Sequence, residues 1–215
     1  MSLLDSYNGI MAWMGLPFKG FGQDLVEKYR GPNRHFHNQR HIVSVLTRID
    51  SLIPTALRLD PDLDVGTVKI AALYHDAVYV PGFSLNEHLS AVYAEGHLAN
   101  MFFMTNWIGP HEVIEDVNRL VRATKNHKSD VIADRLLIDA DLYELSTGLY
   151  HINGSNVWEE FKNAGVSRKD FEVGRTRFLK SFLDRDRIFL LPGQEKEEAA
   201  ARSNMQKELD GLLND

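Results

Sequence analysis

Apolar residues recur at helical spacing through almost the whole of this chain. Between Asn38 and Ile53, for example, they return every three or four residues, which places them on one face of an α-helix. No segment alternates convincingly between apolar and polar residues, and residues 187–191 come nearest to a short strand. The chain is therefore predicted to be an all-α protein.

Capping side chains indicate where several of these helices begin. Asp64 is predicted to cap a helix that reaches about Tyr79. Ser84 and Glu87 have the spacing of a capping box, which would open a helix ending near Met101. Further starts are predicted at Pro110, Ser129 and Ser167, and a last polar helix from about Gln194 to Leu213.

The length of 215 residues is typical of one domain, and no repeat, low-complexity tract or long linker divides it. We expect a single compact multi-helix fold. Residues 1–28 would form an N-terminal helical segment packed on the core, 29–150 the core itself, and 151–215 a C-terminal helical extension that completes the same domain.

Composition excludes several classes of protein. The chain has no cysteine, which rules out disulfides, thiolate zinc sites, iron–sulfur clusters and a cysteine nucleophile. A formal net charge of −6 argues against binding to duplex nucleic acid. The sequence shows no apolar run long enough to span a membrane and no signal-peptide pattern at its start, so we expect no membrane association and a cytoplasmic location.

Four titratable residues fall where a helical stripe should be apolar. His41 lies in the first turn of its predicted helix, His75 and Asp76 lie within an apolar run, and Asp141 is on an inward face. A buried carboxylate without a partner is costly. Two imidazoles and two carboxylates that converge from three helices would resolve this cost by binding a divalent cation. The nearby Asp139 is the alternative to Asp141 as the ligand.

The order His, His-Asp, Asp resembles the HD-domain superfamily of phosphohydrolases, with gaps of 34 and 65 residues. The surrounding segments resemble a subgroup of predicted metal-dependent HD phosphohydrolases. In order, these segments are residues 34–41 (RHFHNQRH), 71–79 (AALYHDAVY), 86–91 (NEHLSA), 124–127 (TKNH) and 139–142 (DADL), with 174–175, 178–183, 187–189 and 201–204 further on. The resemblance spans nearly the whole chain.

The resemblance implies an HD-domain fold in which His41, His75, Asp76 and Asp141 bind one divalent metal ion, which could be Mn, Mg, Fe, Co, Ni or Zn. Three other residues are candidates for catalysis, of which Glu87 matches an acidic position of related members. Glu87 would orient water or a leaving group, whereas His127 and Arg34 would hold phosphate or donate a proton. His37 is expected to line the pocket beside the His41 helix.

The expected activity is hydrolysis of a phosphoester in a small phosphorylated compound, with a nucleotide as the favoured substrate. One alternative is a di-iron oxygenase of the same fold, which requires a second metal and further histidine ligands. Another is a non-catalytic regulator that senses a nucleotide. A homodimer is compatible with the sequence.

Overall fold

The structure is a computed structural model, and it describes residues 2–16, 20–106 and 112–214. Within these ranges all regular structure is helical and no strand is present, which confirms the predicted all-α class. The helices are α1 (Leu3–Trp13), α2 (Gly22–Lys28), α3 (Gln39–Leu59), α4 (Val65–Tyr74), α5 (Asn86–Met104), α6 (Glu112–Ala123), α7 (Ile132–Asp141), α8 (Tyr150–Asn163), α9 (Arg168–Leu183) and α10 (Glu195–Asn214). A 3₁₀ helix, Leu142–Ser146, directly follows α7.

Helix α3 forms where the apolar spacing predicts it. Asn38 caps the helix, and its side chain accepts the backbone N–H of Arg40 at 2.8 Å. The buried face includes Ile42, Val45 and Ile49. The predicted pattern ended near residue 53, whereas the helix runs on to Leu59. Its first turn is the part that carries His41 into the interior.

Helix α4 lies at the centre of the bundle, in contact with α1, α3, α5, α6 and α7. Nearly all of its residues are buried, so it has no polar face. The predicted continuation to Tyr79 is wrong, because the last helical residue is Tyr74. Beyond it, the N–H and C=O of Val78 both bond to the Ser90 hydroxyl of α5 at 3.0 Å. The His-Asp dipeptide therefore follows the helix instead of lying within it.

Two predicted caps are confirmed. Asp64 accepts the N–H groups of Gly66 and Thr67 at the start of α4. Ser167 accepts the N–H of Asp170 at the start of α9. Both caps depend on contacts within three residues, which a sequence pattern captures well.

The capping box predicted from Ser84 to Glu87 is wrong. Helix α5 begins at Asn86, and no side chain caps it. The Asn86 side chain instead bonds to both the N–H of Val80, at 2.9 Å, and its C=O, at 2.8 Å. These two bonds set the turn between α4 and α5.

The other two predicted helix starts have different outcomes. Ser129 accepts the N–H of Val131 at 3.1 Å, but Val131 is the residue in the capping position of α7. The predicted first-turn Pro110 lies outside the described residues. The final helix, α10, matches the predicted range to within one residue at each end.

The buried apolar residues form two clusters. The larger one is built mainly from α1 to α7, and the smaller one from the end of α7, the 3₁₀ helix and α8 to α10. Arg48 of α3 links them by donating to Gln194 at 2.8 Å and to Glu197 at 3.0 Å. Residues 187–191, the nearest match to a strand, have irregular backbone. The C-terminal helices thus pack beside the end of α7.

Candidate metal centre

Four side chains predicted to bind a metal meet where three helices begin or end. His41 is in the first turn of α3, and Asp141 is the last residue of α7. His75 directly follows α4, and Asp76 comes next. We call these four residues the His/Asp cluster. Because helix ends position them, their spacing depends on how α3, α4 and α7 pack.

The cluster is tight enough for one ion. Nε2 of His41 lies 3.1 Å from Oδ1 of Asp141 and 3.6 Å from Oδ2 of Asp76. Nε2 of His75 lies 3.4 Å from the same Asp141 oxygen and 3.2 Å from the same Asp76 oxygen. Ligand atoms of His41, His75 and Asp141 all lie within 4.8 Å of one another, so this group could hold a metal ion.

The ring orientation of His75 favours a cation at this position. Its Nδ1 lies 2.9 Å from the carbonyl oxygen of Ala72, so Nδ1 carries the proton and donates to that carbonyl. In the neutral ring, Nε2 then presents a lone pair to the two carboxylates. This atom is buried and makes no hydrogen bond to any described residue. A lone pair that faces carboxylate oxygens requires a proton or a metal ion between them.

The pKa shifts of the cluster residues also favour a positive charge between the carboxylates. Burial lowers the pKa of His75, but the carboxylates of Asp76 and Asp141 outweigh it and hold that pKa well above its usual value. Burial opposes ionisation of both carboxyls, yet the facing histidines hold the pKa of each below its usual range. The site therefore combines two anionic carboxylates with imidazole nitrogens. This donor set fits a divalent transition metal.

His127 also reaches the cluster. Helix α6 ends at Ala123, and His127 lies in the following loop with φ +49°. Arg185 holds its carbonyl at 3.0 Å. Its Nε2 lies 3.4 Å from Oδ2 of Asp141. His41 and His75 lie nearest to the other oxygen, Oδ1. His127 is therefore placed to orient Asp141.

Arg34 binds the backbone of the segment that carries Asp76. Its guanidinium donates to the carbonyl oxygens of Asp76 at 2.8 Å, Ala77 at 3.0 Å and His37 at 3.0 Å. These bonds satisfy carbonyl groups just beyond α4 and fix the path of the chain that carries Asp76. Its predicted role in holding phosphate stays a prediction, whereas its contacts describe a positioning residue.

Glu87 is not brought into contact with the cluster. It lies in the first turn of α5 and is partly exposed, and its side chain makes no hydrogen bond or ion pair with any described residue. The predicted catalytic role of Glu87 therefore stays a prediction that no contact supports.

The structure separates Asp139 from Asp141. Asp139 is fully buried and points away from the cluster, where it accepts the N–H groups of Leu190 and Leu191 at 2.7 Å and the amide of Gln194 at 2.6 Å. Its carboxylate oxygens are therefore engaged in holding the chain before α10. The choice of Asp141 over Asp139 as the ligand agrees with this geometry.

A cavity of about 450 Å³ opens beside the cluster. His37, His127 and Asp141 form part of its wall, which agrees with the expectation for His37. Most of the remaining wall is apolar or aromatic, with Phe36, Leu142, Leu145, Val157, Phe161, Phe171 and Phe178 among the lining residues. The volume is within the range of small-molecule sites.

One cation of the cavity wall is already neutralised. Arg175 of α9 donates from Nε to Oε1 of Glu208 at 2.8 Å and from a terminal nitrogen to Oε2 at 2.9 Å. The Tyr150 hydroxyl contacts the same Glu208 carboxylate. This bidentate pair joins α9 to α10 at the cavity wall.

Glu160 is a residue beside the cavity that sequence reasoning missed. This residue of α8 is fully buried, and its carboxylate accepts hydrogen bonds from the segment that precedes α3. A glutamate among the polar residues of an ordinary helix gives no signal of burial, because its partners are more than 120 residues away. Only the packing of α8 against the start of α3 reveals the contact.

Comparisons with protein-family models, with curated proteins and with solved structures return no match. The resemblance to HD-domain phosphohydrolases therefore stays a prediction from the sequence motifs. In the described part of the chain, no helix is both long enough and apolar enough to cross a membrane.

Proposed function

We propose that this protein is a metal-dependent phosphohydrolase that acts on a small phosphorylated compound, with a nucleotide as the favoured substrate. The observation that carries the proposal is the His/Asp cluster, whose Asp141 lines a cavity. The same proposal includes an HD-domain fold, a cytoplasmic location and a homodimeric state. The support for these three comes from the sequence alone.

The residues of the cluster would hold one divalent cation through His41, His75, Asp76 and Asp141. Such a cation neutralises phosphate oxygens and lowers the pKa of water, which are the two demands of phosphoester hydrolysis. Arg34 fixes the backbone that carries Asp76, and His127 orients Asp141. The protein thus supplies a set of ligands whose positions are fixed before substrate binds.

The cavity supports an organic group next to the phosphate. Phe161, Phe171 and Phe178 contribute aromatic surface to its wall, and Asn153 contributes a polar side chain. Aromatic surface with a few polar groups suits a planar, heteroatom-rich group such as a nucleobase. This composition supports a nucleotide over a small inorganic substrate.

The test measures phosphate and product release from a panel of nucleotides and generic phosphoesters. Each reaction is run with EDTA and with Mg, Mn, Co or Ni, beside Asp76→Ala and the matched control Asp62→Ala. Asp62 is exposed and its side chain makes no hydrogen bond within the described ranges. We expect turnover that needs metal, survives in Asp62→Ala and is lost in Asp76→Ala.

Turnover that persists unchanged in Asp76→Ala would overturn the proposal. Two irons per chain, with no phosphate release, would instead favour the oxygenase. Tight nucleotide binding without turnover under any metal would favour the regulator.

A further inference from the structure

A buried carboxylate, Glu160, organises the loop that enters α3. Its side chain is 0% exposed. One oxygen, Oε1, accepts the backbone N–H of Phe36 at 2.8 Å and that of His37 at 2.9 Å. The other, Oε2, lies 2.6 Å from Nδ1 of the His37 ring. Both carboxylate oxygens are therefore engaged by a single short segment of chain.

These contacts set the protonation of the His37 ring. Burial opposes ionisation of Glu160, but the hydrogen bond and charge of His37, together with the two backbone N–H groups, hold its pKa below the usual value. The carboxylate is anionic near neutral pH and only accepts hydrogen bonds. Nδ1 of His37 must therefore carry a proton, and Nε2 is the nitrogen left to exchange protons with another molecule.

The ring of His37 is held rigidly at the cavity. It stacks on Tyr79 with ring centroids 3.9 Å apart and an interplanar angle of 27°. Its side chain is 18% exposed and lines the same cavity as Asp141 and His127. No described residue bonds to its Nε2, although Nδ1 has a partner. The ring thus presents one free nitrogen beside the His/Asp cluster.

His127 is the other histidine of the cavity wall, and it is less suited to proton transfer. Its Nε2 faces Oδ2 of Asp141 at 3.4 Å, so that nitrogen is directed at a cluster carboxylate. Nε2 of His37 makes no hydrogen bond to a described residue, although its ring lies edge-on to that of His41 with centroids 6.0 Å apart. An imidazole oriented through Nδ1 by a buried carboxylate is the arrangement that general acid–base catalysis uses.

We propose that His37 is a catalytic residue that donates a proton to the leaving-group oxygen of the phosphoester, and that Glu160 is its positioning residue. This inference rests on the proposed phosphohydrolase function. It names a proton donor that the sequence assigned instead to His127, Arg34 or Glu87.

His37 enters the reaction as the imidazolium, with one proton on Nδ1 facing Glu160 and one on Nε2. The oxygen of a water molecule forms a bond to phosphorus, and the bond between phosphorus and the ester oxygen breaks with its electron pair on that oxygen. The proton on Nε2 of His37 passes to this oxygen, which leaves as an alcohol. The attacking water releases one proton to solvent. His37, left neutral with its proton on Nδ1, takes up a proton on Nε2 from solvent once the products depart. The products are inorganic phosphate and the free alcohol.

The test compares leaving groups of different basicity. A nucleoside monophosphate or an alkyl phosphate releases a basic alkoxide that needs a proton, whereas p-nitrophenyl phosphate releases a stable phenolate that does not. His37→Gln retains an amide that can donate to Glu160. We expect His37→Gln to lower kcat/KM on the alkyl ester by about 100-fold or more, and on p-nitrophenyl phosphate by a much smaller factor.

His127→Gln supplies the contrast in the same experiment. Because His127 contacts Asp141, we expect its loss to reduce turnover of both substrates by similar factors. Equal losses on both substrates in His37→Gln would overturn the role of His37 while the phosphohydrolase stands. No metal-dependent hydrolysis of either substrate by the unsubstituted protein would overturn the phosphohydrolase and the proton donor together.

Glu160 is tested by a measurement that does not depend on turnover. Long-range proton–nitrogen NMR correlations report which ring nitrogen of a histidine carries the proton. We expect a protonated Nδ1 on His37 in the unsubstituted protein. In Glu160→Gln, the amide can donate to Nδ1 and the proton should move to Nε2. An unchanged tautomer, with unchanged leaving-group dependence, would show that Glu160 does not position the ring.

Discussion

Nε2 of His41 lies 3.1 Å from Oδ1 of Asp141, although the two residues are 100 positions apart in the chain. The contact joins the first turn of α3 to the last residue of α7. It can form only when these helices are packed, so the His/Asp cluster does not exist in the unfolded chain. Metal binding should therefore be coupled to folding.

Added divalent metal should stabilise the folded protein. At a free metal concentration a hundred times Kd, linkage predicts a gain of about 2.7 kcal/mol in the free energy of unfolding. Thermal unfolding followed by circular dichroism, with Mn and with EDTA, measures this gain. The increase should vanish in Asp141→Asn and persist in Asp139→Asn, since Asp139 faces away from the cluster. Equal gains in both variants would show that the metal binds elsewhere.

Arg34→Ala should destabilise the fold as well as the cluster. The substitution leaves the carbonyls of Asp76 and Ala77 without their donors, at a cost of about 2–4 kcal/mol in the free energy of unfolding. Urea denaturation measures the loss. Arg30→Ala is the matched control, because Arg30 is exposed and its side chain pairs, among the described residues, only with Glu27 one turn away. Its effect on the free energy of unfolding should stay within about 0.5 kcal/mol. A similar loss of stability in the two variants would contradict the role of Arg34 in holding the backbone carbonyls.

Glu208→Gln should change how stability depends on pH. Burial opposes ionisation of Glu208, but its bidentate bond with Arg175 holds its pKa below the ordinary value of 4.5. The stabilisation is thus present above pH 4.5 and is lost as the pH falls through the lower folded pKa. We expect Glu208→Gln to cost about 1 kcal/mol at pH 7, allowing for solvent screening, and less below pH 4. A constant difference across that pH range in urea denaturation would contradict this linkage.

Gly154 offers a way to fill the cavity. It lies inside α8, lines the cavity, and a Cβ built on it would meet no atom within 4 Å. Glycine in a helix interior costs about 1 kcal/mol relative to alanine. Gly154→Ala should therefore raise the free energy of unfolding by up to that amount.

The larger Gly154→Leu should occupy space that the substrate needs. We expect a raised KM for nucleotides with unchanged metal affinity measured by calorimetry. An unchanged KM would mean that this part of the cavity does not receive the substrate.

The local parts of the fold were predictable from sequence, and the parts set by tertiary contacts were not. The start of α3 at Asn38 and of α9 at Ser167 depends on caps within three residues. The end of α4 depends on Ser90, and the turn before α5 on Asn86. These contacts join segments that come together only when the chain folds. The apolar periodicity carries no sign of them, so the prediction placed the end of α4 too late in the chain.

The candidate site likewise contains residues that could be predicted from the sequence and residues that could not. The four cluster residues could be predicted because titratable side chains interrupt apolar stripes and match a known order. Glu160 could not, since nothing in its neighbourhood in the sequence distinguishes it from a solvent-exposed glutamate. The contacts of Arg34 with backbone carbonyls were equally hidden, because carbonyl groups carry no sequence signal.

Anomalous X-ray diffraction from crystals soaked in Mn shows whether the His/Asp cluster binds a metal ion. We expect one anomalous peak per chain, about 2.0–2.3 Å from Nε2 of His41 and His75 and from carboxylate oxygens of Asp76 and Asp141. The peak should be absent in crystals of Asp141→Asn. A cluster that stays empty in saturating Mn, or a peak bound only by exposed carboxylates, would show that the His/Asp cluster is not the metal site.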